Sequence, residues 1–241
     1  MRFCLLTTGR AGSTALMDAI AAGDDVTVPG DLIDCRDHEL VNPEHLERHR
    51  VALERVVGHA VDGPAAMIDA FLEATRDRPI AGFKSMPNRH DDLQALVERP
   101  GLRIVTLRRR DLASTVASFM RAQATGQWRR EGGRPPTDWR FGDADIPAVR
   151  ANVAYVVQAQ ATLSRIPGAI HVEYEALCAP DFACPALDAL FGRHIALDDP
   201  RPPTSARDYV GNWEPFRRLV EATARQVRRR LGIVAARATD P

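Results

Sequence analysis

The stretch FCLLTTGRAGSTALMDAIAA, residues 3–22, decides the fold. The apolar run from Phe3 to Thr7 predicts a buried strand, and the pattern from Ser13 to Ala22 predicts a helix directly after it. Gly9 and Gly12 stand between the two elements and permit tight turns and a close approach of the backbone to another group. This order indicates an α/β unit whose loop can hold an anion on the amides that begin the helix.

Short apolar strands and longer amphipathic helices alternate along the rest of the chain. The further predicted strands are Val26 to Val28, Ile80 to Lys84, Arg103 to Leu107 and Ala169 to Glu173. The further predicted helices are Pro43 to Val61, Pro64 to Arg76, Asp91 to Glu98, Asp111 to Gln123, Pro147 to Ile166 and about Trp213 to Leu231. The alternation predicts an α/β fold, a three-layer, P-loop-like parallel sheet with helices on both faces.

Length and composition favour a single domain over residues 1–241. With 45% hydrophobic and 27% charged residues, a chain of 241 residues can bury one sizeable core. Within that domain we expect a helical insertion around residues 41–78 and a long loop around residues 125–147, since loops of that length are often functional. The sequence predicts no oligomeric state.

Charge and hydropathy exclude several classes of partner. The 32 basic and 32 acidic residues cancel, which argues against nucleic acid. No apolar run approaches the roughly 20 residues that a membrane span needs, and the first strand follows Met1 too closely for a cleavable signal. A cytoplasmic location without a membrane span is therefore expected.

The sequence predicts neither a metal site nor a disulfide framework. The four cysteines form no C-x-x-C pair, so reduced thiols are expected. His45 and His49 share a helical face in HLERH, but the Glu stands in the third rather than the second position of a zinc-protease motif. Surface histidines are the preferred interpretation.

The loop after the first strand differs from a Walker A loop. Thr7 stands where the first glycine would be, and Ser13 stands where the lysine would be. The loop's cation is Arg10, three positions before that lysine. This displacement argues against a magnesium nucleoside triphosphate held in the usual manner. A strand-to-helix turn without a ligand is the open alternative.

Two motifs resemble those of the sulfotransferase superfamily. The run Arg10-Ala11-Gly12-Ser13-Thr14 matches the loop [KR]-x-G-[ST]-[ST], which in that family binds the 5′-phosphosulfate of 3′-phosphoadenosine 5′-phosphosulfate (PAPS). The stretch RIVTLRRRDLASTVASF, residues 103–119, is similar to the family's second signature, a strand ending in Arg with a Ser eight residues later. Arg110 and Ser118 take these positions, which the resemblance assigns to the 3′-phosphate, and Leu112 replaces the family's proline.

The two arginines before Arg110 receive a different interpretation. Arg108 and Arg109 stand at the end of the predicted strand. We expect them to face solvent or to pair with acidic neighbours.

Two further residues resemble the family's catalytic groups. Gly30-Asp31 is similar to the Gly-Glu pair whose carboxylate takes the acceptor's proton, with Asp34 and His38 as fallback bases, although a turn-stabilising aspartate is an alternative. In IAGFKSMPNRHD, residues 80–91, the G-F-K segment resembles the family's, and its Lys84 would stabilise charge on the bridging oxygen. A solvated strand-end lysine is the alternative there. His90 is expected on the surface.

Two late segments are also similar to family segments. ARDYVGNWEPF, residues 206–216, resembles a lid in which Arg207 and the backbone of Gly211 contact the 3′-phosphate. Asn212 can also serve as the N-cap of the final helix. VEYEAL, residues 172–177, is similar to a Y-E-[DN]-L segment that we interpret as structural.

The resemblance implies a PAPS-dependent sulfotransferase of the bacterial, carbohydrate-modifying, Stf-like branch. Its catalytic residues would be Asp31, Lys84 and Arg10, no metal would be needed, and the product would be adenosine 3′,5′-bisphosphate (PAP). The acceptor would be a hydroxyl of a carbohydrate, a glycolipid or a small natural product. Trp128 and Trp139 could stack on a sugar or equally cover the core. A P-loop-type nucleotide kinase and a non-catalytic polyanion-binding protein are the alternatives.

Overall fold

The computed structural model describes residues 1–23, 25–28, 50–51, 53–90, 92–126, 139–197, 206–208 and 210–233. Strands span Arg2–Thr7 (β1), Val26–Thr27 (β2), Ile80–Ser85 (β3), Leu102–Arg108 (β4), Trp139–Arg140 (β5), Ile170–Glu173 (β6) and Val210–Gly211 (β7). Helices span Ser13–Ala21 (α1), Gly63–Ala74 (α2), Leu93–Val97 (α3), Leu112–Thr125 (α4), Ile146–Leu163 (α5), Tyr174–Leu177 (α6), Pro185–Phe191 (α7) and Trp213–Arg230 (α8). Residues 53–57 are helical as well.

The chain groups into two compact units. The sheet unit comprises residues 1–109 and 163–203, and the helical unit comprises residues 110–162 and 204–241. The single domain that the sequence predicts stays a prediction.

A five-stranded parallel sheet forms the sheet unit, in the order β2-β3-β1-β4-β6. Strand β1 pairs with β3 on one side and with β4 on the other. The chain leaves β1 toward β2 on one side of the sheet, and it leaves β4 toward β6 on the opposite side. In open α/β sheets, a reversal of this kind marks the carboxyl ends of the two strands, here β1 and β4, as the expected place of the ligand crevice.

Strand β1 is buried on both faces of the sheet. Phe3 and Leu5 pack in one apolar cluster with α1, and Cys4 and Leu6 pack in another cluster with α2. We call these sides the α1 face and the α2 face. The sheet therefore has helices on both sides, and the predicted three-layer α/β architecture is confirmed.

The predicted elements of the sheet unit are confirmed with small changes at their ends. The predicted helix from Asp91 begins at Leu93 instead, because the Asp92 carboxylate accepts a hydrogen bond from the amide of Ala95 at 2.8 Å and so caps the helix. Only part of the predicted helix over residues 43–61 falls within the described residues. Helix α7 was not predicted.

The core of the helical unit is built around Phe216. Its ring meets Trp139 edge-on at 5.7 Å, Phe141 at 5.6 Å and Trp213 at 5.7 Å. Trp139 is 9% exposed, so this tryptophan covers the core rather than standing ready for a sugar. Trp128 lies outside the described residues.

A short parallel pair, β5 with β7, completes the helical unit and was not predicted. Trp139 pairs with Val210, and Arg140 pairs with Gly211. Helix α8 begins at Trp213, as predicted, but Asn212 does not cap it with its side chain. Asn212 is the N-cap residue, as predicted, and its Nδ2 donates a hydrogen bond to the backbone oxygen of Phe141 at 3.0 Å.

Replacing Gly82 by alanine is expected to lower the free energy of unfolding by about 1–3 kcal/mol, because the core is already filled there. A Cβ atom at Gly82 would lie 2.2 Å from Cε1 of Phe3, which is fully buried and packs edge-on against Phe191 at 5.0 Å. Urea unfolding followed by circular dichroism measures the loss. Gly142→Ala is the control, since its Cβ would have no neighbour closer than 4.0 Å. Equal stability of the two variants would contradict the packing argument.

Candidate functional site

The loop after β1 has an uncommon backbone. Gly9, Arg10 and Gly12 adopt φ angles of 71°, 52° and 82°, all in the left-handed region. Glycine adopts this region freely, whereas a residue with a Cβ, such as Arg10, costs about 1–2 kcal/mol there. Backbone turns of this kind direct successive amides toward one point and form concave sites for anions.

The helix that follows leaves its first amides open to a ligand. Gly12 is the N-cap of α1 and offers no side-chain cap, and no acidic side chain lies in the first turn. Helix amides without a capping side chain carry partial positive charge, which favours an anion. The loop lies at the carboxyl end of β1, beside the crevice of the sheet.

The predicted loop residues differ in what they can offer a ligand. Ala11 is fully buried in the cluster on the α1 face, so only its backbone can meet a bound group. Ser13 is buried, Thr14 is exposed and Arg10 is half-exposed. A ligand therefore meets backbone amides, hydroxyls and one guanidinium along this loop.

Lys84 is buried on the strand next to the loop. It is 6% exposed and pairs in register with Leu5 of β1, so it lies on the α1 face near the carboxyl end of β3. The alternative of a solvated strand-end lysine is wrong. An ammonium in this position can meet negative charge that the loop holds, and its catalytic role stays a prediction.

Arg109 and Tyr174 form a contact that sequence reasoning missed. Arg109 is 6% exposed, and its Cζ lies 4.9 Å from the centroid of the Tyr174 ring. A cation over an aromatic face is attracted by the ring's electrons. Arg109 does not face solvent, so that part of the expectation is wrong, and its pairing with an acidic neighbour stays a prediction. Alternation along β4 was the available signal, since Val105 and Leu107 already point to the buried α1 face.

Tyr174 also packs directly against the loop. A Cβ atom on Gly12 would lie 2.4 Å from Cδ2 and Cε2 of the Tyr174 ring. Only a residue without a side chain fits at position 12 while this ring is in place. The segment Glu173 to Leu177, interpreted as structural, therefore contributes a residue that shapes the site.

The chemistry of Tyr174 is that of a neutral phenol. Burial raises the pKa of Tyr174 to about 12, and a hydrogen bond with Cys178 adds to this shift. Burial also raises the pKa of the Cys178 thiol. Neither group is ionised near neutral pH, so neither is a general base or a counter-ion there.

Arg108 has the structural role that the sequence predicted for it. Its guanidinium forms an ion pair with Glu173 on the neighbouring strand β6 and donates a hydrogen bond to Ser164. These contacts link β4 to the chain around β6. Arg108 and Arg109, although adjacent, thus differ in environment because successive strand residues point to opposite faces.

His90 is more ordered than expected of a surface histidine. It is half-buried, and its Nε2 lies 2.8 Å from Oγ of Ser85, at the carboxyl end of β3. Ser85 pairs in register with Leu6, so this contact lies on the α2 face, whereas Lys84 lies on the α1 face. The pair stiffens the turn that follows β3.

The other predicted ligands lie in the helical unit. Arg110 is exposed, and Asp111 caps α4 by accepting a hydrogen bond from the amide of Ser114 at 2.9 Å. Ser118 is 6% exposed within α4. Arg207 is exposed and forms an ion pair with Glu214 at 3.5 Å.

The remaining predicted site residues are Gly211 and Asp31. Gly211 lies in β7, where a Cβ atom would approach Cγ of Arg140 to 3.2 Å. Asp31 lies outside the described residues, as do Asp34, His38, His45 and His49.

Two searches of the described residues bear on other classes of site. No group of three or more His, Cys, Asp or Glu side chains that could hold a metal ion occurs among them. Within the same part of the chain, no helix is both long and apolar enough to cross a membrane. Cys4, Cys178 and Cys184 are free thiols.

Comparisons with known proteins give one distant likeness worth reporting. No protein-family model and no curated protein sequence matches the chain. Among solved structures, the sulfotransferase domain from the curacin biosynthetic pathway matches with a TM-score of 0.46 and 14% sequence identity. The match covers 97% of this chain and 98% of that domain.

Replacing Gly12 by alanine is expected to lower the free energy of unfolding by about 2–4 kcal/mol, the sum of backbone strain and the clash with Tyr174. Gly58→Ala is the matched control, because Gly58 has a φ of 77° but no atom within 4 Å of its added Cβ. It isolates the backbone strain, and urea unfolding of both variants gives the difference. Gly12→Ala should cost less stability in a Tyr174→Ala background than in the wild-type chain, because the ring that clashes with the new Cβ is gone. An equal cost in both backgrounds would contradict the contact.

Proposed function

We propose that this chain is a sulfotransferase that moves a sulfuryl group from PAPS to an acceptor hydroxyl and releases PAP. The observation that carries the proposal is the loop Arg10 to Thr14, which combines the family's motif with a left-handed backbone and an uncapped helix start. The loop follows the central strand of a parallel sheet, at the edge where such sheets bind ligands. Motif and geometry thus support the same anion site.

The cations around the loop favour this donor over a magnesium nucleotide. A Walker loop places its lysine directly after the second glycine, where this chain has Ser13. Lys84 instead lies on the adjacent strand β3, buried and on the α1 face. The positive charge on the neighbouring strand suits a phosphosulfate. In this proposal, sulfuryl transfer needs no metal ion.

The 3′-phosphate of the donor is assigned from the sequence resemblance. Arg110 is exposed just before α4, and Ser118 follows eight residues later within the helix. A guanidinium can bind a phosphate through two parallel hydrogen bonds, and a hydroxyl can add a third. We propose these residues as ligands of the 3′-phosphate, with Arg207 and the backbone of Gly211 adding to them.

The acidic and basic residues of the site have different roles in the reaction. Asp31 accepts the proton of the acceptor hydroxyl as its oxygen attacks sulfur in line with the departing phosphate oxygen. Arg10, Lys84 and the loop amides stabilise the negative charge that grows on the leaving group. Positioning and electrostatics carry most of the acceleration, as in phosphoryl transfer.

The finer assignment follows from the resemblance and belongs to the same proposal. We place the enzyme in the bacterial, carbohydrate-modifying, Stf-like branch, acting in the cytoplasm on a carbohydrate, a glycolipid or a small natural product. Neither a metal nor nucleic acid takes part. The overall balance of charge supports the exclusion of nucleic acid.

PAP is expected to raise the melting temperature of the chain more than magnesium-ATP does, because a ligand that binds the native state stabilises it. Arg110→Ala should weaken PAP binding by about 10- to 100-fold, the loss of one charge-assisted contact. Arg225→Ala, an exposed change on α8 in the same unit, is the control. A preference for ATP would favour a P-loop kinase. A polyanion-binding protein would be favoured if the chain bound polyanions in general, if that affinity fell steeply with added salt, and if no turnover occurred.

Asp31→Asn is expected to lower turnover by about 100- to 10,000-fold while PAP affinity changes little, because a general base acts on the chemical step. Release of PAP from PAPS in the presence of candidate acceptors measures turnover. Asp34→Asn is the paired variant. Full turnover in Asp31→Asn, or a larger loss in Asp34→Asn, would remove Asp31 from this role.

A further inference from the structure

Three polar residues stand in a row on the α1 face of the sheet. Lys84 of β3 pairs with Leu5, and Thr7 of β1 pairs with Leu107 of β4. Leu5 and Leu107 both pack in the cluster on the α1 face, and residues two apart on a strand share a face. Lys84, Thr7 and Arg109 therefore lie on one face, across three adjacent strands and toward their carboxyl ends.

Thr7 carries a polar atom that calls for a partner. Its side chain is fully buried, and within the described residues its Oγ1 has no hydrogen-bond partner. Buried polar side-chain atoms are hydrogen-bonded in the large majority of cases, so this hydroxyl is suited to a bound polar group. The hydroxyl lies directly before the loop and between the strands that carry the two buried cations.

We infer that Arg109, positioned by the ring of Tyr174, binds the anionic 5′ group of the donor and adds a second guanidinium to that of Arg10. The inference rests on the proposed function and adds a ligand to it. Tyr174 contacts Gly12, the residue before the position of the missing lysine, and its ring also lies under the guanidinium of Arg109. The ring thus joins the loop and the guanidinium.

The side chains of Lys84, Thr7 and Arg109 favour an anionic ligand group. The planar guanidinium of Arg109 can hold two oxygens of one phosphate or sulfate group. Lys84 adds a second charge from the opposite side of β1. A 5′-phosphosulfate carries two negative charges, which suits a face of the sheet that holds two basic side chains.

The role of Tyr174 is to position, not to bind. Its phenol stays protonated, so the ring does not compete with the ligand for the guanidinium as a carboxylate would. The contact with Gly12 fixes the ring against the loop. Removing the ring should therefore weaken binding of the same part of the ligand, the 5′ group, as removing the guanidinium does.

Two ligands separate the 5′ contact from the rest of the site. PAP carries both phosphates, whereas adenosine 3′-monophosphate lacks the 5′-phosphate. Arg109→Met keeps the length and packing of the side chain but removes its charge. It should weaken PAP binding by about 10- to 100-fold and leave adenosine 3′-monophosphate binding near the wild-type value. Arg109→Lys should recover part of the loss. Isothermal titration calorimetry measures each affinity.

The control variants distinguish this role from a structural one. Arg103→Met removes a charge from an exposed site near the opposite end of β4 and should leave both affinities unchanged. Tyr174→Leu should resemble Arg109→Met, and Tyr174→Phe, which keeps the ring, should restore most of the PAP affinity. These two variants carry the test by themselves if Arg109→Met does not fold.

The outcomes separate the inference from the proposed function. A wild-type chain that does not bind PAP overturns both. A wild-type chain that binds PAP, together with a folded Arg109→Met variant that retains the wild-type preference for PAP over adenosine 3′-monophosphate, overturns the inference alone. An Arg109→Met variant that binds both ligands equally more weakly also overturns the inference, because that result indicates a general structural role for Arg109.

Discussion

Burial of strand β1 on both faces is the constraint on which the rest of the structure depends. Phe3 and Leu5 fill one layer while Cys4 and Leu6 fill the other, and all four are fully buried. Because β3 and β4 pair with both edges of β1, the central strand cannot shift without moving its neighbours. The loop after Thr7 therefore starts from a fixed point.

The sheet also explains how positive charge can reach a loop that lacks the usual lysine. Parallel strands end at one edge, so side chains at the ends of β3 and β4 lie beside the end of β1. Lys84 and Arg109 use this geometry from opposite sides. Both side chains are buried, and charges interact more strongly in a buried site than in water, which makes such cations sensitive to the charge of a ligand.

Sequence patterns predicted the sheet and its loop because strong apolar periodicity decides both. The strands of the sheet, the helix after the loop and the structural role of Arg108 were confirmed. Two-residue strands such as β5 and β7 have no periodicity to detect, and their pairing depends on contacts distant in sequence. The burial of Arg109 was missed because residue type was weighed above alternation. The roles assigned to Arg10, Lys84 and Arg110 depend on a ligand and stay predictions.

The thiol of Cys4 has a consequence of another kind. It is fully buried in the middle of β1, and burial raises its pKa far above that of a free thiol. Reagents that attack thiolates therefore reach it only in molecules whose core around Cys4 has opened. Cys184 is half-buried and more accessible. The rate at which Cys4 is labelled therefore measures how often the core around β1 opens.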